Sequence, residues 1–260
     1  MSGEADGGDG WSVLGDRFVN LHYASLRGQV RTHVIHQHLH AHLDRPPLPV
    51  VDIGGGGGNQ SIPLAVEGYD VTIVDPSPSM LARAHDHAAA AGVAHRVRLV
   101  QTRGEDAPGV LQGERFGAVL CHGVVMYLDD PRPLFDALCG LAAPGGIVSI
   151  VAKNVDVLAV RPALAGDWDA ALAAFDTDRQ INGLGVETRA DSVADLQGEM
   201  RARQVDPIEW YGVRLFTDAW TADRPATDPA DLVLEVELRA SQRDPYRQLS
   251  RLFHLVGRRR

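Results

Sequence analysis

The stretch Leu48-Pro49-Val50-Val51-Asp52-Ile53-Gly54-Gly55-Gly56-Gly57-Gly58-Asn59-Gln60 decides the fold. Its first half is an apolar run of strand length, interrupted only by Asp52. Its second half is five consecutive glycines, which allow positive φ and leave room for a ligand to approach the main chain. A helix is expected from about residue 59 to 67, and its first N–H groups have no partner within the helix. Strand, glycine turn and helix in this order therefore present main-chain donors to an electronegative group. Asp75 ends the next apolar run, Val71-Thr72-Ile73-Val74-Asp75, where an acid suits a pair of ribose hydroxyls.

Working outward, the alternation repeats. Residues 77–92 read as a helix stopped by Gly92, 97–101 and 116–121 as strands, and 131–142 as a helix ended by Pro144-Gly145-Gly146. Residues 147–152 are a fifth strand. The pattern then breaks, and 154–206 read as a polar helical insertion with Trp168 and Phe175 as apolar anchors and a loop at 182–185. A strand over 208–216, a helix over 231–241 and a last apolar run over 252–257 complete the chain. Strands alternating with helices of this length predict an α/β, doubly wound, mostly parallel sheet of seven strands, with the insertion between strands 5 and 6. Upstream, residues 11–43 have helical spacing, and residues 1–10 read as a disordered, acidic, Gly-rich leader. The expected divisions are thus 1–10, 11–153, 154–206 and 207–260.

Composition narrows the function classes. The 260 residues are 45% hydrophobic and 23% charged, ordinary for a globular chain and unlike a disordered or fibrous one. No apolar run is long enough to span a bilayer, and the N-terminus lacks a signal-peptide pattern, so a cytoplasmic protein without membrane partners is expected. Cys121 and Cys139 make no disulfide framework and read as buried thiols. A net charge of −9 argues against a broad phosphate-binding surface. The tail Arg258-Arg259-Arg260 is the only compact basic cluster and reads as a solvated end.

The glycine loop separates two cofactor classes. A dinucleotide fingerprint needs G-x-G-x-x-G, but the third position is Asn59 counted from Gly54 and Gln60 counted from Gly55. The pattern is instead Asp52-x-Gly54-x-Gly56-x-Gly58, which resembles motif I of the class I S-adenosylmethionine-dependent methyltransferases. Pro144-Gly145-Gly146 before strand 5 is also typical of that superfamily. The resemblance implies the Rossmann-like methyltransferase fold and S-adenosyl-L-methionine as cofactor. It implies cofactor contacts from Asp52, Gly54, Gly55 and Gly56, a ribose contact from Asp75, and contacts near the adenine from Glu105 and Asp106. His122 would face the methionine end.

A narrower resemblance covers residues 14–257. Tyr23-Ala24-Ser25-Leu26-Arg27-Gly28-Gln29-Val30-Arg31, His122 with Asp130-Pro131, Gly212-Val213-Arg214-Leu215-Phe216-Thr217-Asp218, Glu235-Val236-Glu237-Leu238 and Arg243-Asp244-Pro245-Tyr246 are similar to segments of the tRNA 5-carboxymethoxyuridine methyltransferases. That family esterifies a modified wobble uridine, and the resemblance implies that Arg31 binds the cofactor. A carboxylate acceptor is already ionised at neutral pH and needs orientation rather than a general base. An Arg fork orients it bidentately, and Arg214 is the candidate, with an internal ion pair to a local acid as its alternative reading. His122 and Tyr127 join it as candidate catalytic residues. Tyr127 and Tyr211 each offer a ring for stacking an acceptor base, or else belong to the core. Partners are accordingly tRNA or, in the rival reading, a small molecule methylated on oxygen or nitrogen. A non-catalytic nucleotide-binding module is a third reading, which the intact loop disfavours.

Eleven histidines raise the question of a metal. His36 and His40 share a helix face, as do His38 and His42. No acid or cysteine completes a site in the sequence and H-E-x-x-H is absent, so none is expected. His85 and His87 read as surface residues. The segment 178–189, where better-known relatives are basic, holds two arginines and two acids.

Overall fold

The computed structural model describes residues 25–182, 185–220 and 229–260. The expected leader, the expected helix before residue 25 and the centre of the expected 182–185 loop lie outside them.

The chain opens with α1 (Leu26–His40), capped by Ser25, whose hydroxyl accepts the Gly28 N–H at 3.2 Å. The doubly wound core follows: β1 (Pro49–Ile53), α2 (Ser61–Val66), β2 (Asp70–Asp75), α3 (Pro78–Ala90), β3 (Val97–Gln101), α4 (Ala107–Val110), β4 (Phe116–His122), α5 (Arg132–Leu141) and β5 (Ala142–Lys153). After β5 come α6 (Val160–Leu164), α7 (Trp168–Ala173), β6 (Arg179–Ile181), β7 (Glu187–Arg189) and α8 (Val193–Ala202). β8 (Val205–Val213), α9 (Ala230–Ser241) and β9 (Leu252–Arg259) close the fold.

Seven strands form one sheet in the order β3-β2-β1-β4-β5-β9-β8, parallel from β3 to β5, with β9 antiparallel to both its neighbours. This is the doubly wound architecture expected from the sequence. The winding direction reverses between β1 and β4, so the crevice at their carboxyl ends is where ligands bind in such sheets.

Strand alternation explains the two-faced core. Val50, Val71, Ile73, Leu120 and Val151 face one way and pack with Val34, Leu64 and Leu81 of α1, α2 and α3. Val51, Val74, Val119, Cys121 and Ile150 face the other way and pack with Leu138 of α5 and Met200 of α8. Both cysteines are buried free thiols, as expected, and burial pushes both up.

The segment 154–206 differs from its reading as purely helical. It contains the two-stranded β6–β7 ladder, and its last helix, α8, packs on the sheet. Trp168 and Phe175 are not anchors: they are 67% and 77% exposed. The tail also differs. Arg258 and Arg259 belong to β9, and Arg260 pairs with Asp206 at 2.6 Å, so the cluster is tied down. Among the described residues, no helix is long and apolar enough to cross a membrane.

Candidate functional site

The glycine loop leaves β1 at the switch point. Gly54, Gly56 and Gly58 have φ of +69°, +53° and +75°, a conformation costly for any residue with a Cβ. A Cβ at Gly54 would also collide with Val124, beyond β4, and one at Gly55 would lie 2.7 Å from the Asp52 carboxylate. The Asp75 carboxylate closes the loop by accepting the N–H of Gly56 and of Ser77, each at 2.9 Å. Burial raises the Asp75 carboxyl above its ordinary range, and these two donors oppose the shift. Asp52 is more strongly affected: burial pushes its carboxyl up to about 6. His87, read as a surface residue, instead sets Nδ1 2.8 Å from the Gly57 carbonyl.

Beside this loop lies a cavity of about 470 Å³. Its wall contains six cationic side chains (Arg27, Arg31, Lys153, Arg161, Arg214 and Arg251) and two carboxylates, Asp167 and Asp218. Arg31 reaches from α1 to donate to the His122 carbonyl at 3.1 Å. Arg214 does not lie within a strand, as the sequence reading had it. It follows β8, with φ +61°, and its Nη2 donates to Asp218 at 2.5 Å. Its Nε is buried without a hydrogen-bond partner, and burial lowers its guanidinium to about 10. Asp218 Oδ2 also lies 4.0 Å from Arg251 Nε, so one carboxylate serves two guanidinium groups. Lys153, at the end of β5, donates to Thr188, and burial lowers its ammonium to about 8. The turn bearing Arg214 and Asp218 is held from α9: the buried Glu237 carboxylate accepts the N–H of Leu215 at 3.0 Å and of Thr217 at 2.7 Å.

A row of buried polar groups fixes His122 from behind. Ser241 donates its hydroxyl to the Leu238 carbonyl at 2.7 Å, so its oxygen accepts His38 Nε2–H at 2.8 Å. Burial keeps His38 and His254 neutral, lowering them to about 2 and about 3, and holds His122 well below its ordinary range. With one proton on each ring, His38 Nδ1 accepts from His254 Nδ1–H at 3.2 Å. His254 Nε2 then accepts from Ser149 at 2.7 Å, and Ser149 accepts His122 Nε2–H at 2.8 Å. The outcome is a single tautomer for His122, with the lone pair on Nδ1, a buried atom without a protein partner.

Of the sequence candidates, Arg31, His122, Tyr127 and Arg214 meet in this cavity. Gly54, Gly55, Gly56, Asp52 and Asp75 form the adjoining loop, and Asp52 feels the charge of Arg31. Glu105 and Asp106 lie apart, beyond β3, with Glu105 3.6 Å from Arg103. Tyr211 is a core residue: it stacks on His38 with ring centroids 3.8 Å apart, and its hydroxyl lies 2.7 Å from His42 Nε2. The arginines of 178–189 are paired, Arg179 with Asp129 at 3.0 Å and Arg189 with Asp191. The expectation that no acid joins the histidines of α1 is corrected by Glu67, which contacts His36 and His40. Sequence reasoning gave no role to Lys153, Arg251 or the Ser149–His254–His38 row, and singled out Glu237 only within a family-like segment. The available signals were that Lys153 is the only lysine of the chain and that Glu237 falls in the segment Glu235-Val236-Glu237-Leu238.

Comparison with known proteins agrees with this architecture. Residues 51–150 match the family model described as "Methyltransferase domain". The tRNA 5-carboxymethoxyuridine methyltransferase of Escherichia coli (strain K12) is 27% identical over 94% of both chains. A ubiquinone biosynthesis O-methyltransferase of Methylobacterium sp. (strain 4-46) is 35% identical over 69% of this chain and 74% of its own. In fold, the chain superposes on magnesium protoporphyrin IX methyltransferase from Synechocystis PCC 6803 with a TM-score of 0.65, at 14% identity and 97% coverage of both chains. The chain belongs to the class I S-adenosylmethionine-dependent methyltransferases, and S-adenosylmethionine is its cofactor.

Proposed function

We propose that this methyltransferase esterifies the carboxylate of 5-carboxymethoxyuridine at the tRNA wobble position. When bound, S-adenosylmethionine supplies an electrophilic methyl group. The glycine loop, Gly54 to Gly56, fits it because the turn carries no side chains, and Asp75 at the tip of β2 is the acceptor for ribose hydroxyls. Asp52 supports the loop from below, Glu105 and Asp106 stand on the adenine side, and Arg31 holds the cofactor carboxylate. The neutral His122 offers a lone pair to a donor at the methionine end.

The observation that carries the acceptor class is the cationic wall. Six cations face two carboxylates in this pocket, so it carries a net positive charge that attracts an anion. Arg214 and Arg251, sharing Asp218, keep guanidinium N–H groups available for the acceptor carboxylate, and Lys153 adds charge. Tyr127 lines the same cavity and gives the uracil ring a stacking surface. Likeness to the E. coli tRNA enzyme over nearly the whole chain supports the same reading.

The second reading is a small-molecule O-methyltransferase, favoured by the 35% identity to the ubiquinone-pathway enzyme. Nucleoside mass spectrometry of tRNA from a deletion strain separates the two. The wobble reading predicts accumulation of the free acid and loss of its methyl ester. An unchanged ester level supports the small-molecule reading.

A further inference from the structure

We propose that His36, His40 and Glu67 form a binding site for a divalent transition-metal ion of the zinc type, separate from the methyl-transfer cavity. His36 and His40 are one turn apart on α1, so their rings project from one face. Glu67 follows α2 directly and meets them because α1 and α2 cover the same face of the sheet.

The three ligand atoms make a tight triangle. His36 Nε2 is 2.8 Å from Glu67 Oε1, His40 Nε2 is 3.2 Å from the same oxygen, and the two nitrogens are 3.0 Å apart. Zinc bound tetrahedrally at about 2.0–2.2 Å spaces its ligands about 3.3–3.6 Å apart, so a small outward movement of this triangle would make it one face of such a shell.

Hydrogen bonding alone does not satisfy the triangle. With a proton on both Nε2 atoms, their mutual contact is donor against donor. With one of them bare, that nitrogen turns a lone pair toward a carboxylate oxygen. Every arrangement of neutral rings leaves one of the three contacts unfavourable, whereas a cation among them makes all three attractive.

The side chains are 17%, 39% and 34% exposed for His36, His40 and Glu67, enough for an ion to enter and keep a water ligand. Two imidazoles and one carboxylate suit Zn²⁺, with Co²⁺ as a spectroscopic substitute. None of the three residues lines the cavity. The ion would instead clasp α1, which carries Arg27 and Arg31, to the end of α2, which leads out of the glycine loop.

The test uses the untagged full chain. Calorimetry with Zn²⁺ should give one ion per chain, Co²⁺ should develop visible ligand-field bands, and saturating Zn²⁺ should raise the melting temperature. His40→Ala and Glu67→Gln should each weaken Zn²⁺ binding at least about 10-fold and abolish both the bands and the thermal shift. His85→Ala, at an exposed histidine elsewhere, should change none of these. Absence of saturable one-to-one binding overturns the proposal. So does full binding retained by both the His40 and Glu67 variants, which would place the ion on other histidines.

Discussion

Arg214 holds a left-handed backbone at the cavity edge, with φ +61°, and such outliers persist where the surroundings impose them. Its ion pair with Asp218 means the alternative reading of an internal salt bridge is realised, yet the same guanidinium lines the cavity. The two roles are separable. Arg214→Lys keeps a charge for Asp218 but loses the fork, so acceptor turnover should fall at least about 10-fold while cofactor Kd hardly changes. Arg31→Ala should do the reverse and raise cofactor Kd by roughly 10- to 100-fold, the equivalent of about 1.5–3 kcal/mol. Equal loss of cofactor affinity in both variants, measured by calorimetry, would make Arg214 structural. Lys153 supplies a pH signature. Its ammonium is lowered to about 8, so it loses charge as pH rises through 8, and KM for an anionic acceptor should rise over that range. In Lys153→Met the step in KM should vanish; a step that survives belongs to another group. Arg214 was legible because Gly-Val-Arg-Leu-Phe puts a charge in an apolar run. Lys153 and Arg251 were not, because their meeting depends on the pairing of β5 with β9.

At the scale of elements, the strands were legible wherever an apolar run met a glycine or proline stop. β8 starts three residues earlier than its expected 208 because Pro207 lies within it, at a register shift on an edge strand, where proline is tolerated. The β6–β7 ladder escaped notice because three residues per strand show no period. Trp168 and Phe175 misled because aromatic residues in a polar segment read as anchors, although exposed apolar side chains are common on protein surfaces. The Glu237 contact between α9 and the turn after β8 makes a prediction of its own. Glu237→Ala leaves two N–H groups without an acceptor, at about 1–3 kcal/mol each. Denaturant unfolding should show that loss, and acceptor KM should suffer before cofactor Kd. A fully stable variant with unchanged KM would mean the turn holds itself.

Over the whole molecule, charge and fold point in different directions for a nucleic-acid substrate. The chain carries −9, and surface arginines such as Arg96, Arg98, Arg132, Arg239 and Arg247 are paired with acids. The net charge has the sign of the phosphate backbone and these pairs take up part of the basic surface, so tRNA affinity should vary shallowly with salt, with a log–log slope no steeper than about −3. A much steeper slope would reveal a phosphate-binding surface outside the cavity. Recognition would then rest on the modified base and its carboxylate, read by a pocket in which Lys153 is buried and the Arg214 and Arg251 side chains are 12% and 10% exposed.

On the proposed function, the cationic cavity orients a carboxylate on tRNA for methylation. This is tested most directly by incubating the pure protein with methyl-labelled S-adenosylmethionine and tRNA from a strain lacking this activity. The tRNA is then digested to nucleosides before and after mild alkali. Label is expected on a single wobble nucleoside, released by alkali as an ester would be, and strongly reduced by Arg214→Lys. Label that resists alkali, or none on tRNA while a small phenolic acceptor is methylated, would contradict it.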